Sequence, residues 1–196
     1  MYLIAALGNP GKKYRHTRHN IGFWALETLG RRHGITVEKK KFEGCYGSGV
    51  IDRIQVLLLT PLTYMNRSGV AVAAFLRYFR IPPEQLIVLH DDLDLPWNTL
   101  RISEKRGAAG HKGVLSIIQE LQTHGFIRVR IGIGRPPLGV APEDYVLEPF
   151  TPSEEADLPA LTERAAEAVE TILTQGVIAA MNRFNVRPTE TSPSRP

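Results

Sequence analysis

The stretch Met1-Tyr2-Leu3-Ile4-Ala5-Ala6-Leu7-Gly8-Asn9-Pro10-Gly11 opens the chain and decides its fold class. The run from Tyr2 to Leu7 is apolar without alternation, which is typical of a strand that is buried on both faces of a sheet. The Gly-Asn-Pro-Gly sequence then ends the strand in a turn. This pattern therefore places Asn9 just beyond the carboxyl end of a central strand.

Further strands and helices alternate along the chain. The next helix is predicted from Ile21 to His33, with Asn20 as a possible N-cap. Apolar patterns predict strands at Glu38–Ile51, Ile54–Leu59, Leu86–Leu89, Asn98–Ser103 and Ile127–Ile133, and helices at Val70–Phe79, Lys112–Leu121, Pro152–Gln175 and Gly176–Phe184. This order predicts one α/β domain with a twisted, mixed, mostly parallel sheet and helices on both faces.

The same patterns predict the domain boundary and which side chains point toward the core. We predict a catalytic domain over residues 1–185 and a disordered tail, rich in Pro, Ser and Thr, over 186–196. In the helix that begins at Lys112, helical spacing points Leu115 and Ile118 inward. In the strand from Ile127, alternation places Arg128 and Arg130 on the face away from the core.

Charge and cysteine content narrow the range of functions. The 196 residues include 24 Lys and Arg against 20 Asp and Glu, a net charge of +4 that argues only weakly for nucleic acid. However, the segment from Gly11 to Leu26 has four cations and no carboxylate, so either a polyanionic partner or a solvated basic face is expected. The single cysteine, Cys45, excludes an intrachain disulfide framework and fits the cytoplasm.

Polar clusters follow three predicted strands and suggest one pocket. They are Asn9 in its turn, the segment Tyr64-Met65-Asn66-Arg67-Ser68-Gly69, and the segment His90-Asp91-Asp92-Leu93-Asp94-Leu95-Pro96. Ligands of open α/β sheets bind beyond the carboxyl ends of the strands, where these clusters lie. Taken singly, each asparagine is also explained by ordinary turn chemistry.

A hydrolytic site can be built from these clusters. An imidazole exchanges protons near neutral pH, so His19 is a candidate base for activating water if Asp91 holds its second nitrogen. Asn9 and Asn66 offer donors and acceptors that can position a carbonyl group and its attacking water. The chain lacks the Gly-x-Ser-x-Gly elbow, the phosphate-binding P-loop and the Gly-x-Gly-x-x-Gly fingerprint, which disfavours serine hydrolases, P-loop enzymes and dinucleotide sites.

A metal site is the competing interpretation. His16-x-x-His19 and Asp91-Asp92-x-Asp94 offer nitrogen and oxygen ligands. On a strand, however, Asp91 and Asp92 point to opposite sides, so we expect no metal. For the remaining histidines we expect structural roles, with His90 in the core and His111 on the surface or at a helix cap.

Five motifs of this chain resemble those of the bacterial-type peptidyl-tRNA hydrolase family. The resemblance runs from residue 1 to about Asn185, and its motifs are Leu7–Gly11, Thr17–Asn20, Tyr64–Gly69, His90–Pro96 and Arg130–Gly134. It implies a single-domain α/β esterase that cuts the ester bond between a peptide and the 3′ end of tRNA. It further implies that peptidyl-tRNA is the partner, that no metal or organic cofactor is needed, and that the protein is a monomer.

The resemblance also assigns residues to roles. His19 would accept the proton of water, Asp91 would keep His19 in its basic form, and Asn9 would help distinguish N-blocked from free aminoacyl-tRNA. The side chains that would line the site for the terminal adenosine and the peptide are those of Tyr14, Tyr64 and Asn66. The side chains at positions similar to those that face tRNA phosphate are Arg101 and Arg130.

One departure from the family concerns Lys112. The family usually has Gly-Gly-His-Asn-Gly where this chain has Ala109-Gly110-His111-Lys112-Gly113, so Lys112 replaces an asparagine that binds the tRNA end. A cation there can hold phosphate or a developing oxyanion, or pair with an acid.

The alternative interpretation of the whole chain is a non-catalytic RNA-binding relative of the same fold, such as a splicing factor.

Overall fold

The computed structural model describes residues 1–185, and the predicted disordered tail at 186–196 lies outside the described residues. The strands of the described part are β1 (Tyr2–Ala6), β2 (Lys39–Lys41), β3 (Gly44–Ile51), β4 (Ile54–Pro61), β5 (Leu86–Asp92), β6 (Leu100–Glu104) and β7 (Ile127–Gly132). Its α-helices are α1 (Ile21–His33), α2 (Ser68–Phe79), α3 (Lys112–Leu121), α4 (Pro142–Tyr145), α5 (Pro152–Gln175) and α6 (Val177–Phe184). Within residues 1–185, none of these helices combines the length and apolarity needed to cross a membrane.

The strands form one mixed sheet in the order β2-β3-β4-β1-β5-β7-β6. Strands β4, β1, β5 and β7 are mutually parallel, whereas β3 and β6 run antiparallel to their neighbours. From β1 the chain builds one side of the sheet through β4 and then crosses to the other side for β5. The predicted mixed, mostly parallel sheet is confirmed, and its topology reverses beside β1, where ligand clefts of such sheets form.

Helices cover both faces of the sheet. One apolar cluster joins Ile4 and Leu58 to α1, α5 and α6, and a second joins Leu3 and Leu57 to α2 and α3. Alternate side chains of β1 therefore enter different clusters, and this is why the sequence of that strand is apolar throughout. Burial on both faces makes β1 a rigid base for the turn that follows it.

The predicted strand Glu38–Ile51 is in fact a hairpin. It breaks into β2 and β3 at Phe42 and Glu43, whose φ angles are +48° and +57°. Such a two-residue turn, with both φ values positive, matches the twist of paired strands but usually carries Gly or Asn. The prediction was wrong because neither residue type marks a turn in the sequence.

The inward face of α3 also differs from the prediction. Leu115 is 46% exposed, whereas Val114 and Ile117 are fully buried. Both sets of positions have helical spacing, so the apolar pattern alone could not distinguish them. The helix is oriented by its first turn, where Gly113 lies against Met65.

Helix α1 starts directly on top of β1 and β5. A Cβ atom at Gly22 would lie 2.6 Å from the carbonyl oxygen of Leu89 and 2.8 Å from that of Leu7, so only glycine allows this approach. The preceding 3-10 turn, Arg18–Asn20, is thereby brought to the carboxyl ends of both strands. This placement carries His19 to the end of β5.

Candidate active site

His19 and Asp91 form a hydrogen-bonded pair at the carboxyl end of β5. The Nδ1 atom of His19 lies 2.9 Å from both carboxylate oxygens of Asp91. The Asp91 side chain is 2% exposed and that of His19 is 11% exposed. Because a carboxylate only accepts hydrogen bonds, His19 donates through Nδ1–H, and its Nε2 is left with a lone pair that can take a proton.

A second imidazole, that of His111, binds the same carboxylate. Its Nε2 lies 2.9 Å from Asp91 Oδ1, and its Nδ1 accepts the backbone N–H of Val114 at 3.2 Å. The second contact fixes the proton on Nε2, so His111 donates to Asp91. The expectation that His111 is a surface or capping group was therefore incomplete: it caps α3 and also completes the site. Its motif, Ala109–Gly113, was the signal for this role.

The two imidazoles keep Asp91 ionised. Burial by itself would raise the pKa of the Asp91 carboxyl, but the charges and hydrogen bonds of His19 and His111 hold that pKa well below its usual range. Asp91 is thus a carboxylate at neutral pH. Its charge favours both the Nδ1–H form of His19 and any imidazolium that forms there.

Asn9 connects the first polar cluster to the second. Its Oδ1 accepts the backbone N–H of Met65 at 2.8 Å. The Asn20 side chain accepts from Asn9 N at 2.8 Å and donates to Asn9 O at 2.9 Å. Asn20 thus occupies the N-cap position of α1 as predicted, but its side chain fixes the Asn9 turn and makes no capping hydrogen bond to the helix. Among residues 1–185 the Nδ2 donors of Asn9 have no partner, so they are left for a ligand. Asn66 follows the buried Met65 in a 3-10 turn, and Asn66 itself is exposed.

Open space lies next to Asn9. A cavity of about 850 Å³ is lined by Asn9 and Asn20 and continues between the segment 9–16, α1 and the start of α5. His19, Asp91 and Asn66 do not line it. The clusters are therefore joined by the hydrogen bonds of Asn9 and Asp91, while the open space adjoins Asn9.

Two tyrosines and two lysines lie in the turns next to Asn9, Met65 and His111. Tyr14 is half-buried and Tyr64 is exposed. The ammonium of Lys13 lies 4.6 Å from the centre of the Tyr14 ring. A hydrogen bond to Tyr14, and the charges of Tyr14 and Tyr64, raise the pKa of Lys13. Lys112 is exposed at the first position of α3, next to His111.

The basic groups of β6 and β7 have different environments. Arg130 is half-buried, and its Nε donates to Asp92 Oδ2 at 2.6 Å. Arg101 is the Cα partner of Arg130 across the sheet, and it is exposed. Arg128, predicted to face away from the core, is instead buried with its Nη1 donating to Gly107 O at 2.8 Å. Arg128 does lie on the opposite side of β7 from Ile127, Val129 and Ile131, as alternation predicts, but the loop after β6 covers that side and buries the guanidinium.

Of the ligands in the competing metal interpretation, only His19 and Asp91 meet among residues 1–185. His16 is exposed and packs against Trp24, Asp92 binds Arg130, and Asp94 pairs with Arg135.

A different group is close enough for a metal among residues 1–185. His19, Asp91 and His111 offer ligand atoms that lie within 4.8 Å of one another. However, His111 Nε2 carries the proton that its Nδ1 contact with Val114 requires. Metal binding at that nitrogen would turn Nδ1 into a second donor facing the N–H of Val114, so the donor pattern disfavours a metal.

His90 lies under the site as a neutral core histidine. Its Nδ1 is 2.7 Å from the carbonyl oxygen of Asp91, and its buried Nε2 has no partner among residues 1–185. Burial lowers the pKa of His90 well below its usual value, and His111 and Arg128 act in the same direction, whereas Asp91 opposes them. The His90 ring therefore stays uncharged at neutral pH.

We expect His90 to make the fold sensitive to mild acid. As the pH falls below the ordinary imidazole pKa of about 6.5, the unfolded chain binds a proton that the folded protein does not, so the free energy of unfolding falls by up to roughly 1.4 kcal/mol per pH unit. Chemical denaturation from about pH 7 to pH 5 should show a shallower slope for His90→Leu than for the wild type. Equal slopes would contradict a neutral His90.

Comparisons with known proteins show the family of this chain. The family model described as Peptidyl-tRNA hydrolase matches residues 3–193. A peptidyl-tRNA hydrolase of Chloroflexus aggregans is 49% identical over 186 residues, covering 94% of this chain and 99% of the relative, and one of Symbiobacterium thermophilum is 50% identical over 185 residues, covering 93% and 98%. The crystal structure of the peptidyl-tRNA hydrolase of Acinetobacter baumannii superposes with a TM-score of 0.89 at 37% identity, covering 95% of each chain. The chain therefore belongs to the peptidyl-tRNA hydrolase family.

Proposed function

We propose that this enzyme hydrolyses the ester bond between an N-blocked peptide and the 3′ end of tRNA, with His19 as the base that activates water. The observation that carries the proposal is the pairing of His19 Nδ1 with a carboxylate that His111 also holds. Curated relatives named peptidyl-tRNA hydrolase support the substrate. They disfavour the rival interpretation as a non-catalytic RNA-binding protein.

The proposed reaction needs no covalent enzyme intermediate. Water attacks the ester carbonyl while His19 Nε2 takes its proton, and Asp91 stabilises the resulting imidazolium. The imidazolium then returns the proton to the 3′-oxygen of the terminal ribose as the carbon–oxygen bond breaks. Free tRNA and a peptide carboxylic acid leave, and the acid loses the second proton of the water to solvent. The Nδ2 donors of Asn9 and the exposed amide of Asn66 position the carbonyl and the water.

The remaining polar groups are assigned to the nucleic acid. Tyr14 and Tyr64 offer rings on which a terminal base can stack. Lys112 and Arg101 are exposed cations that can bind phosphate, and Arg130 does so while it is oriented by Asp92. Lys112 therefore replaces the family's asparagine as a charge that binds the tRNA end.

Release of the acyl group from N-acetylaminoacyl-tRNA tests the proposal. Purified protein should release N-acetyl amino acid, should leave free aminoacyl-tRNA intact, and should keep its rate in chelator. Binding without any release would favour the RNA-binding alternative. Loss of turnover in chelator would instead support a metal-dependent hydrolase.

We expect Arg101→Ala to weaken the binding of tRNA. Arg101 forms no ion pair among residues 1–185, so a phosphate can neutralise it and release counterions. The plot of log affinity against log salt concentration should become less steep by about one unit, while hydrolysis of a short substrate mimic stays unchanged. The exposed Arg77 on α2 provides a control, because Arg77→Ala should leave the slope as it is.

The cellular setting follows from the proposed substrate. Translation supplies peptidyl-tRNA in the cytoplasm, which we propose as the compartment of this enzyme. We further propose that it acts as a monomer. Light scattering coupled to size-exclusion chromatography should give a mass near 21.8 kDa, and a doubled mass would refute the monomer.

A further inference from the structure

Arg18, the residue before His19, is a buried cation with several fixed partners. It is 3% exposed. Its Nη1 donates to Pro149 O at 2.8 Å and its Nη2 donates to Glu154 Oε2 at 2.7 Å. The guanidinium also stacks on Tyr145, with its carbon 4.3 Å from the ring centre. The side chain is therefore held on two edges and one face.

Glu154 ties Arg18 to the start of α5. Its Oε2 also accepts the backbone N–H of Thr151 at 2.7 Å, and its own N–H donates to Thr151 Oγ1 at 3.3 Å. These two bonds form the capping box that begins the 24-residue helix α5. Arg18 is thus anchored to a long, packed element and not to a free side chain.

The backbone on either side of Arg18 is attached to the same segment. Arg18 N donates to Glu148 O at 3.1 Å, and His19 N donates to Val146 O at 2.8 Å. Thr17 forms an antiparallel bridge with Pro149. The segment 145–150 therefore supports the turn that carries His19.

A chain of contacts leads from Arg18 back to the strand that carries Asp91. The hydroxyl of Tyr145, whose ring stacks on Arg18, donates to Ile133 O at 2.9 Å. Ile133 N donates to Asp92 O at 3.0 Å. Since Asp92 follows Asp91 and Arg18 precedes His19, the His19–Asp91 hydrogen bond is one link in a closed ring of contacts.

We propose that Arg18 is a positioning residue that sets the angle and distance of His19 to Asp91. The proposal rests on the proposed role of His19 as a base. Burying a cation for stability alone is unfavourable compared with apolar packing, and the Nε of Arg18 is buried without a partner among residues 1–185. A fork that ties three segments together behind the base gives this buried charge a function.

Arg18→Lys tests the proposal because it keeps the charge but removes the planar fork. An ammonium can pair with Glu154 but cannot also bind Pro149 O and stack flat on Tyr145. We expect kcat for N-acetylaminoacyl-tRNA to fall by roughly ten- to a hundredfold, with KM within about twofold of the wild type. Arg32→Lys is the matched control. Arg32 is likewise held by two partners, the carboxylates of Glu163 and Glu170, but it lies on the outside of α1. The kcat of this variant should therefore equal that of the wild type.

Imidazole ¹⁵N chemical shifts provide a readout that a purely structural role would not move. We expect the wild type and Arg32→Lys to show His19 protonated at Nδ1, and Arg18→Lys to show a mixture of tautomers. This measurement requires no tRNA, so it remains informative if the substrate assignment fails. Rates are compared per folded molecule, as measured by chemical denaturation.

Glu154→Gln and Tyr145→Phe keep the test decisive if Arg18→Lys folds poorly. Glu154→Gln removes the negative charge that holds Arg18, and Tyr145→Phe removes the hydroxyl that links the ring to Ile133 O. Each keeps the shape of the side chain, so each should give a smaller fall in kcat and a smaller loss of the Nδ1–H tautomer. If folded Arg18→Lys, or either milder variant in its place, keeps the wild-type kcat and the wild-type His19 spectrum, the proposal is overturned. A change in KM alone, with kcat and the His19 spectrum as in the wild type, would also overturn it.

Discussion

His19→Ala should abolish most of the hydrolysis of N-acetylaminoacyl-tRNA. Loss of a general base typically slows a reaction by about 10²- to 10⁴-fold, and His19 Nε2 is the nitrogen left free by the bond of Nδ1 to Asp91. The fall should appear in kcat, because the tRNA contacts assigned to Arg101, Arg130 and Lys112 do not involve the imidazole. Steady-state release of the acyl group measures it.

His16→Ala is the matched control for this prediction. His16 lies three residues earlier, on the same turn region, but is exposed and packs against Trp24. Its replacement should leave kcat near the wild-type value. If His16→Ala and His19→Ala lose activity equally, the loss reflects a disturbed turn, and His19 is not the base.

Asp91→Asn should cost nearly as much as loss of His19. Both His19 Nδ1–H and His111 Nε2–H donate to the carboxylate, whereas an amide at that place offers one accepting oxygen and one donating NH₂ group. An amide that donates to His19 Nδ1 moves the imidazole proton to Nε2 and removes the base. We expect kcat to fall by about 10²- to 10⁴-fold, as the same change does in other carboxylate–histidine pairs.

Asp92→Asn is the control that distinguishes loss of the Asp91–His19 contact from a general disturbance of the end of β5. Asp92 is the next residue, is also buried, and binds Arg130 instead of an imidazole. We expect its replacement to weaken tRNA binding through Arg130 while hydrolysis of a short substrate mimic continues. If Asp92→Asn slowed hydrolysis of the mimic as much as Asp91→Asn does, the contact of Asp91 with His19 would have no specific role in catalysis.

The sequence predicted the sheet and its helices well because burial leaves a strong pattern. The unbroken apolar run of β1 reflects two covered faces, and the Gly-Asn-Pro-Gly turn marked its end. Tertiary packing decided the features that were missed. Phe42 and Glu43 adopt turn angles that their residue types do not signal, and the face of α3 depends on the contact of Gly113 with Met65.

The candidate site was predictable in part for similar reasons. Asn9 follows β1, and Asp91 lies at the carboxyl end of β5. The topology of a parallel sheet brings such positions together, and the turn with His19 packs above them. The role of His111 required knowing that the N-cap of α3 lies over β5. The burial of Arg128 depends on a loop that covers β7, and alternation along the strand does not contain this information.

The tautomer of His19 tests the central claim most directly, because Asp91 is proposed to leave Nε2 free for the proton of water. Protein labelled with ¹⁵N at the imidazoles, measured by NMR above neutral pH, should show His19 protonated at Nδ1 and unprotonated at Nε2. Asp91→Asn should reverse this pattern. A wild-type His19 that carries its proton on Nε2 would contradict the account.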